Sequence, residues 1–299
     1  MKKLTKHEVM DLVLGWATRT MLKLGTASGA KRQSYHLLQH VEDVTTVGRH
    51  LAKVLCSGQP EEQWLPILQL GTVCHDLIQN FSELGNPSAR FPGVVLRQRD
   101  RGPNEDRTAE WVMEMIMEYD PDGLITIEER HIVFQGIYFT YPVWFQDYGT
   151  MGQPRLFRAL EETSAHPIAV SIAGGDLLGC GCDDKRFMAR TDGLGIEEAQ
   201  GLVELFLRAK SLSGIPPELQ AAWLEWMRDW DAGHAKFVEG QRKLTFAKLL
   251  DAYPRKADEL QVAFDKFDAS IARANKRANS RLSLNFEQYA EVMGFPMPA

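Results

Sequence analysis

Two histidines lie four residues apart in the segment Tyr35-His36-Leu37-Leu38-Gln39-His40, and a His75-Asp76 pair interrupts the apolar segment LPILQLGTVCHDLI. Histidines at positions i and i+4 of a helix share a face and can aim at one point. Along 65–80, Leu68, Gly71, Thr72, His75 and Ile78 follow a three/four spacing, so His75 is expected on an inward face. Asp76 follows directly, and a buried carboxylate is expensive without a cation or a bound metal. Asp176, in HPIAVSIAGGDLLGCG, lies four residues after Ile172 and eight after Ile168, a carboxylate on an apolar stripe. Gly174, Gly175 and Gly179 flank it and would let helices approach closely; an arginine partner or a capping role is the alternative for this Asp. Together His40, His75, Asp76 and Asp176 form a mixed imidazole–carboxylate set suited to a divalent metal (Mn, Mg, Fe, Co, Ni or Zn), with one or two ions. His36 is left beside the metal.

These residues need helices to position them. Helical periodicity places elements near 7–24, 34–56, 61–80, 105–118, 126–140, 154–180, 195–213, 216–238 and 242–278. Strand-like alternation is scarce, so an all-α fold is expected: a helical bundle with an additional C-terminal helical region. Gly85, Pro87, Pro92, Gly93, Gly102 and Pro103 mark a long loop over 81–104, and loops of that length are functional or disordered. Asn104 could cap the following helix, with Glu105 and Asp106 favouring its dipole; Glu105 could equally support the site. Pro216-Pro217 opens a helix in which Trp223, Trp226 and Trp230 recur at i, i+3 and i+7, a stripe that reads as core. The basic run ARANKRANSR reads as a solvated helix end or tail.

Length and composition bound the rest. A chain of 299 residues fits one to two domains, here a core over 1–190 and a C-terminal helical extension over 191–299 packed on it. A net charge of −6 disfavours a sequence-independent nucleic-acid binder. No run approaches ~18 uninterrupted apolar residues, so no membrane span is expected. Cys56, Cys74, Cys180 and Cys182 have no spaced disulfide framework and read as reduced thiols of a cytoplasmic protein. Cys180-Gly181-Cys182 could be half a metal site, but with no second Cys pair nearby it reads as buried small side chains.

In these residues the chain resembles the HD-domain metal-dependent phosphohydrolases, whose pattern is a His, a His-Asp pair and a distant Asp on helices of an α-bundle. The resemblance covers roughly 30–185 and implies His40, His75, Asp76 and Asp176 as ligands, with Asp76 bridging if two ions bind. YHLLQHVEDV resembles the Tyr-His-x-x-x-His-x-x-x-Val signature of a branch that includes cyclic-nucleotide phosphodiesterases, which implies His36 as proton donor to the leaving group. GPNEDRTAEWV is similar to an Asn-Glu-x-x-Ser-Ala segment of the family, with Thr108 in place of Ser, and IVFQGIYFTYP to its Ile-x-x-Thr helix, which implies Thr140 near the site.

The function so implied is hydrolysis of a small phosphate ester or nucleotide by a metal-activated water, with His36 and Asp76 in catalytic roles. Arg97, Arg99 and Arg101 could clamp phosphate, with Arg107 adding to the local cationic excess; a solvated basic loop is the alternative. Rival readings are a cyclic-nucleotide phosphodiesterase, a non-catalytic regulatory protein on the same scaffold, and a di-iron oxygenase, which would have to recruit His131 and His166.

Overall fold

The computed structural model describes residues 3–25, 35–84, 89–209 and 211–297. Helices dominate it, as expected. They are α1 (Lys6–Gly25), α2 (Leu38–Leu55), α3 (Glu61–Cys74), α4 (Pro103–Tyr119), α5 (Ile127–Phe139), α6 (Pro154–Glu161), α7 (Pro167–Leu177) and α8 (Gly179–Cys182). Then follow α9 (Asp184–Glu198), α10 (Gln200–Arg208), α11 (Pro217–Gln241), α12 (Ala247–Ala252), α13 (Ala257–Ala263), α14 (Phe267–Arg281) and α15 (Phe286–Met293). Two short antiparallel pairs of strands accompany them: β1 (Phe81–Glu83) with β2 (Arg97–Arg99), and β3 (Val143–Phe145) with β4 (Thr150–Gly152).

Local chemistry explains where the expected helices are cut. The stretch 154–180 is not one helix, because Pro167 holds His166 extended (ψ 137°) and Thr163 turns left-handed (φ 52°). His166 instead becomes the N-cap of α7, its Nδ1 accepting the Ile168 N–H at 3.2 Å. The stretch 242–278 breaks at Tyr253-Pro254 and again at Phe264. The second helix starts at Leu38 rather than 34, and the third ends at Cys74 rather than 80. Gly102, with φ 91°, is the N-cap of α4, and Pro103 takes the first position; Asn104 is not the cap. The loop expected over 81–104 carries the β1–β2 hairpin, with Phe81 opposite Arg99; Gly85 and Pro87 lie outside the described residues.

Helix α2 buries His40, Val44, Val47, Gly48 and Leu51 along one stripe, so His40 shares the face that drives packing. Helix α7 is buried on nearly all sides from Ile168 to Gly175 and is the centre of the bundle. The α2–α7 crossing depends on small residues. A Cβ on Gly48 would sit 2.8 Å from the Ser171 carbonyl oxygen, and one on Gly175 would sit 2.6 Å from that of Val44. Close approach there brings the first turn of α2 and the last turn of α7 together.

Two apolar clusters form. One joins α1 to α7 with Val238, Phe246, Leu249, Leu260, Phe264 and Phe267; the other gathers Phe91, Leu202, Phe206, Trp223, Met227, Tyr289 and Met293. Helix α11 contributes to both. A buried polar knot ties α9, α11, α14 and α15: Arg281 pairs with Asp192 (2.8 Å) and Asp231 (3.1 Å), Arg277 with Asp231 (2.8 Å), and the Tyr289 hydroxyl donates to Asp231 (2.5 Å). The basic run is therefore no free tail, since Arg277 and Arg281 anchor α14. The four cysteines are free thiols. No described helix is long and apolar enough to cross a membrane.

Candidate metal centre

Helix α3 ends at Cys74, which leaves His75 as its C-cap and Asp76 in the turn beyond. His75 Nδ1 lies 2.8 Å from the Thr72 carbonyl oxygen. That oxygen can only accept, so Nδ1 carries the proton and Nε2 faces inward. There it lies 3.3 Å from His40 Nε2 and 2.9 Å from Asp76 Oδ2. His40 Nε2 is 3.1 Å from Asp76 Oδ2 and 3.4 Å from Asp176 Oδ1, the latter supplied by the last turn of α7. One ligand atom from each of His40, His75, Asp76 and Asp176 lies within 4.8 Å of all the others.

The donor set fits a divalent cation. Asp76 Oδ2 is buried and receives no hydrogen bond, although three imidazole nitrogens lie within ion-pair distance at 2.9, 3.1 and 3.8 Å. The short contacts record proximity, and the missing bond records that no N–H is directed at the oxygen. Lone pairs converging on one point from two imidazoles and two carboxylates are what a metal requires. Electrostatics agree. Burial alone would lower both imidazoles, yet Asp76 and Asp176 overcome it and raise His40, and raise His75 to about 10. Burial alone would raise both carboxyls, but His75 and His36 hold Asp76 far below its ordinary value, and the neighbouring His40 and His75 imidazoles do the same for Asp176. A dication held at that point would compete with protons for the same imidazole nitrogens.

His36 does not share a helical face with His40. It lies in the turn before α2, whose N-cap is Leu37 (φ −119°, ψ 178°). Glu197, at the end of α9, holds that turn. One carboxylate oxygen accepts the N–H groups of Tyr35 and His36, and the other is 2.8 Å from His36 Nδ1. His36 Nε2 lies 3.2 Å from Arg99 Nη1 and 3.8 Å from Asp76 Oδ2. Because a guanidinium only donates, Nε2 accepts and the proton sits on Nδ1, facing Glu197.

Arg99 is the hub on this side, donating 3.2 Å bonds to Asp76 Oδ1 and Glu105 Oε1 as well. Glu105 therefore faces Arg99 with one oxygen, while its other oxygen accepts the Gly102 N–H at the start of α4. Burial raises its carboxyl, with Arg99 and the Gly102 amide opposing. Asn104 and Thr108 bind the backbone of Asn80 and Ile78, fixing the chain as it leaves Asp76.

The other expected substrate contacts divide. Arg101 pairs with Glu198 at 3.3 Å and lines the chamber described below. Arg97 does not face it; its guanidinium is taken by Glu83 and Glu204. Thr140 does not line it either, since its hydroxyl donates to the Ile137 carbonyl (2.6 Å) and closes α5. Arg107 is exposed on α4. His131 is exposed and His166 caps the opposite end of α7, so neither joins the ligand group.

A chamber of about 690 Å³ opens beside His36, His40 and Asp176. Its walls include Trp226 and Trp230, which the stripe pattern assigned to the core; of that stripe only Trp223 is fully buried. Arginines on the wall are paired: Arg186 and Arg190 with Asp43, Arg90 with Asp229, Arg101 with Glu198. Tyr35 covers His40, with ring centroids 4.4 Å apart. Glu197 could have been suspected only as Asp176 was, from a carboxylate on an inward stripe, three residues after Leu194. Comparison of the chain with family models, with curated proteins and with solved structures finds no match.

Proposed function

We propose that this protein is a metal-dependent phosphohydrolase acting on a small phosphate ester. One observation carries the reading: the four-residue ligand group, the Arg99 guanidinium and the His36–Glu197 pair converge at one end of a chamber able to admit an organic substrate. His40, His75, Asp76 and Asp176 would hold the cation. A divalent ion held there supplies Lewis acidity, polarising a phosphoryl oxygen and acidifying the attacking water.

The chain's own residues do the rest. Arg99 already donates to one carboxylate on each side, and a phosphoryl group entering beside Asp76 offers it a better-matched, bidentate acceptor. Its departure from His36 frees Nε2, 3.8 Å from Asp76, to carry a proton toward the leaving oxygen. Glu197 orients the ring by accepting its Nδ1–H. Water oxygen bonds to phosphorus as the bond to the leaving alcohol breaks; the alcohol departs with a proton that His36 Nε2 takes up from solvent once Arg99 has left it, and the proton lost by the water returns to solvent. Asn104 and Thr108 keep Asp76 in place.

The test is a panel of phosphomonoesters and phosphodiesters assayed with the full-length chain after loading with Mn²⁺, Mg²⁺, Co²⁺ or Ni²⁺. Hydrolysis of at least one ester that chelation abolishes and metal restores is the expected result. A protein that binds metal stoichiometrically and hydrolyses none of them is a regulatory relative of such enzymes instead.

A further inference from the structure

The chamber holds more information than the metal centre needs. Trp226 and Trp230 lie nearly parallel on its wall, with centroids 5.6 Å apart and 15° between planes. Both rings are fixed. Trp230 donates its Nε1–H to the Thr191 carbonyl at 3.1 Å, and Trp226 is set edge-on against buried Trp223 at 5.7 Å. Phe187, Phe237 and Trp144 also line the space.

Many polar side chains line the chamber, but its arginines and threonines are already engaged with other groups of the chain. Among the described residues, no asparagine or glutamine lines the chamber. The two threonine hydroxyls on its wall donate to their own helices, Thr46 to Glu42 (2.7 Å) and Thr191 to Met188 (3.0 Å). Each lining arginine is already neutralised by a carboxylate, so no run of free cations awaits a polyphosphate chain. A site meant to select by hydrogen bonding presents unpaired donors and acceptors to its ligand. This one presents aromatic faces, arginines that are already paired, and a volume far beyond that of a phosphoryl group.

We propose that the wall formed by Trp226 and Trp230 is a subsite for a planar, mainly apolar ring system. The substrate is then a phosphate ester of a bulky aromatic or polycyclic alcohol, not a nucleoside polyphosphate. The substrate statement rests on the phosphohydrolase reading; the subsite does not.

Binding of two inert phosphonates to the Mn²⁺-loaded full-length chain, measured by calorimetry and by quenching of tryptophan fluorescence, tests it. 1-Naphthylmethylphosphonate should bind at least about 10-fold more tightly than methylphosphonate and should quench the fluorescence. Trp226→Ala should remove most of that advantage, Trp226→Phe should keep most of it, and methylphosphonate should bind all three proteins alike. Equal binding of the two phosphonates by the unaltered chain overturns the subsite, whatever the folding of the variants. Adenosine monophosphate binding more tightly than the naphthyl compound also overturns it, in favour of a hydrogen-bonded base. Naphthyl-selective binding with no ester hydrolysed supports the subsite and removes the phosphohydrolase reading. Metal-dependent hydrolysis of phenyl and naphthyl phosphates at equal kcat/KM leaves that reading and removes the subsite.

Discussion

Replacing Glu197 by glutamine keeps the shape of the side chain and removes its charge. The carboxylate lies 2.8 Å from His36 Nδ1, and both residues are buried. Burial by itself would raise Glu197, but the attraction of His36 and the hydrogen bonds from its ring, its amide and the Tyr35 amide outweigh it and hold the carboxyl below its ordinary value. It is therefore ionised at neutral pH. A hydrogen bond to a charged partner contributes about 1.5–3 kcal/mol and a neutral one about 0.5–1.5. Glu197→Gln thus withdraws about 1–1.5 kcal/mol from any state in which His36 is protonated on both nitrogens. At about 1.36 kcal/mol per factor of ten, kcat for an ester with a poor leaving group should fall about 5- to 13-fold. The loss grows if the glutamine presents its amide nitrogen to Nδ1 and forces the opposite tautomer, a change that costs about 10⁴ in a serine-protease triad. The assay is steady-state hydrolysis by the Mn²⁺-loaded chain, comparing phenyl phosphate with 4-nitrophenyl phosphate across pH. Phenyl phosphate should lose the larger factor, and metal content should stay unchanged. An unchanged kcat for phenyl phosphate, or equal losses for both esters, would refute a positioning role for Glu197 behind a proton-donating His36.

Three further outcomes follow from the same geometry. Arg99→Ala should raise KM for phosphate esters about 10- to 100-fold, the equivalent of losing one charge-assisted contact, while Arg97→Ala, whose partners are Glu83 and Glu204, should leave it within about twofold; equal effects in steady-state kinetics would contradict the assignment. Burial and the neighbouring Arg277 push His234 down to about 4, so between that pH and the ordinary value near 6.5 the unfolded chain binds more protons. Stability should accordingly fall by roughly 2–3 kcal/mol as pH drops through that window, at about 1.36 kcal/mol per unit, and urea titrations of His234→Gln should show that part of the slope removed. Gly175→Ala places a Cβ 2.6 Å from the Val44 carbonyl oxygen, so the α2–α7 crossing must open. It should cost about 1–3 kcal/mol in thermal unfolding and weaken metal binding by moving Asp176 from His40; native stability in this variant would show that the crossing yields freely.

The group that could hold a metal was legible because its members are polar residues on apolar stripes, and burial of such residues demands a partner. His40 among Val44, Val47 and Leu51 is the clearest case. The backbone around His36 was not legible, because i, i+4 spacing describes residues inside a helix and α2 begins after it. Helix ends at Cys74, His166 and Tyr253 depend on cap and proline geometry that periodicity averages away. Glu197 stands 161 positions from His36, and no local pattern reports a contact at that range. Trp226 and Trp230 followed a packing stripe, but the second apolar cluster borders the chamber, so one stripe serves both. Arg97 and Arg99 look alike in sequence and differ only in partners supplied by other elements.

Metal content decides the central claim. The full-length chain, stripped with chelator, reloaded with Mn²⁺ or Co²⁺, dialysed and analysed by plasma mass spectrometry, should retain at least one ion per chain, while Asp76→Ala and His75→Ala, with helical circular dichroism intact, should retain none. Full occupancy in the Asp76→Ala protein, or no retained ion in the unaltered chain after loading with any of Mn²⁺, Mg²⁺, Fe²⁺, Co²⁺, Ni²⁺ or Zn²⁺, would contradict the assignment of His40, His75, Asp76 and Asp176 as a metal centre.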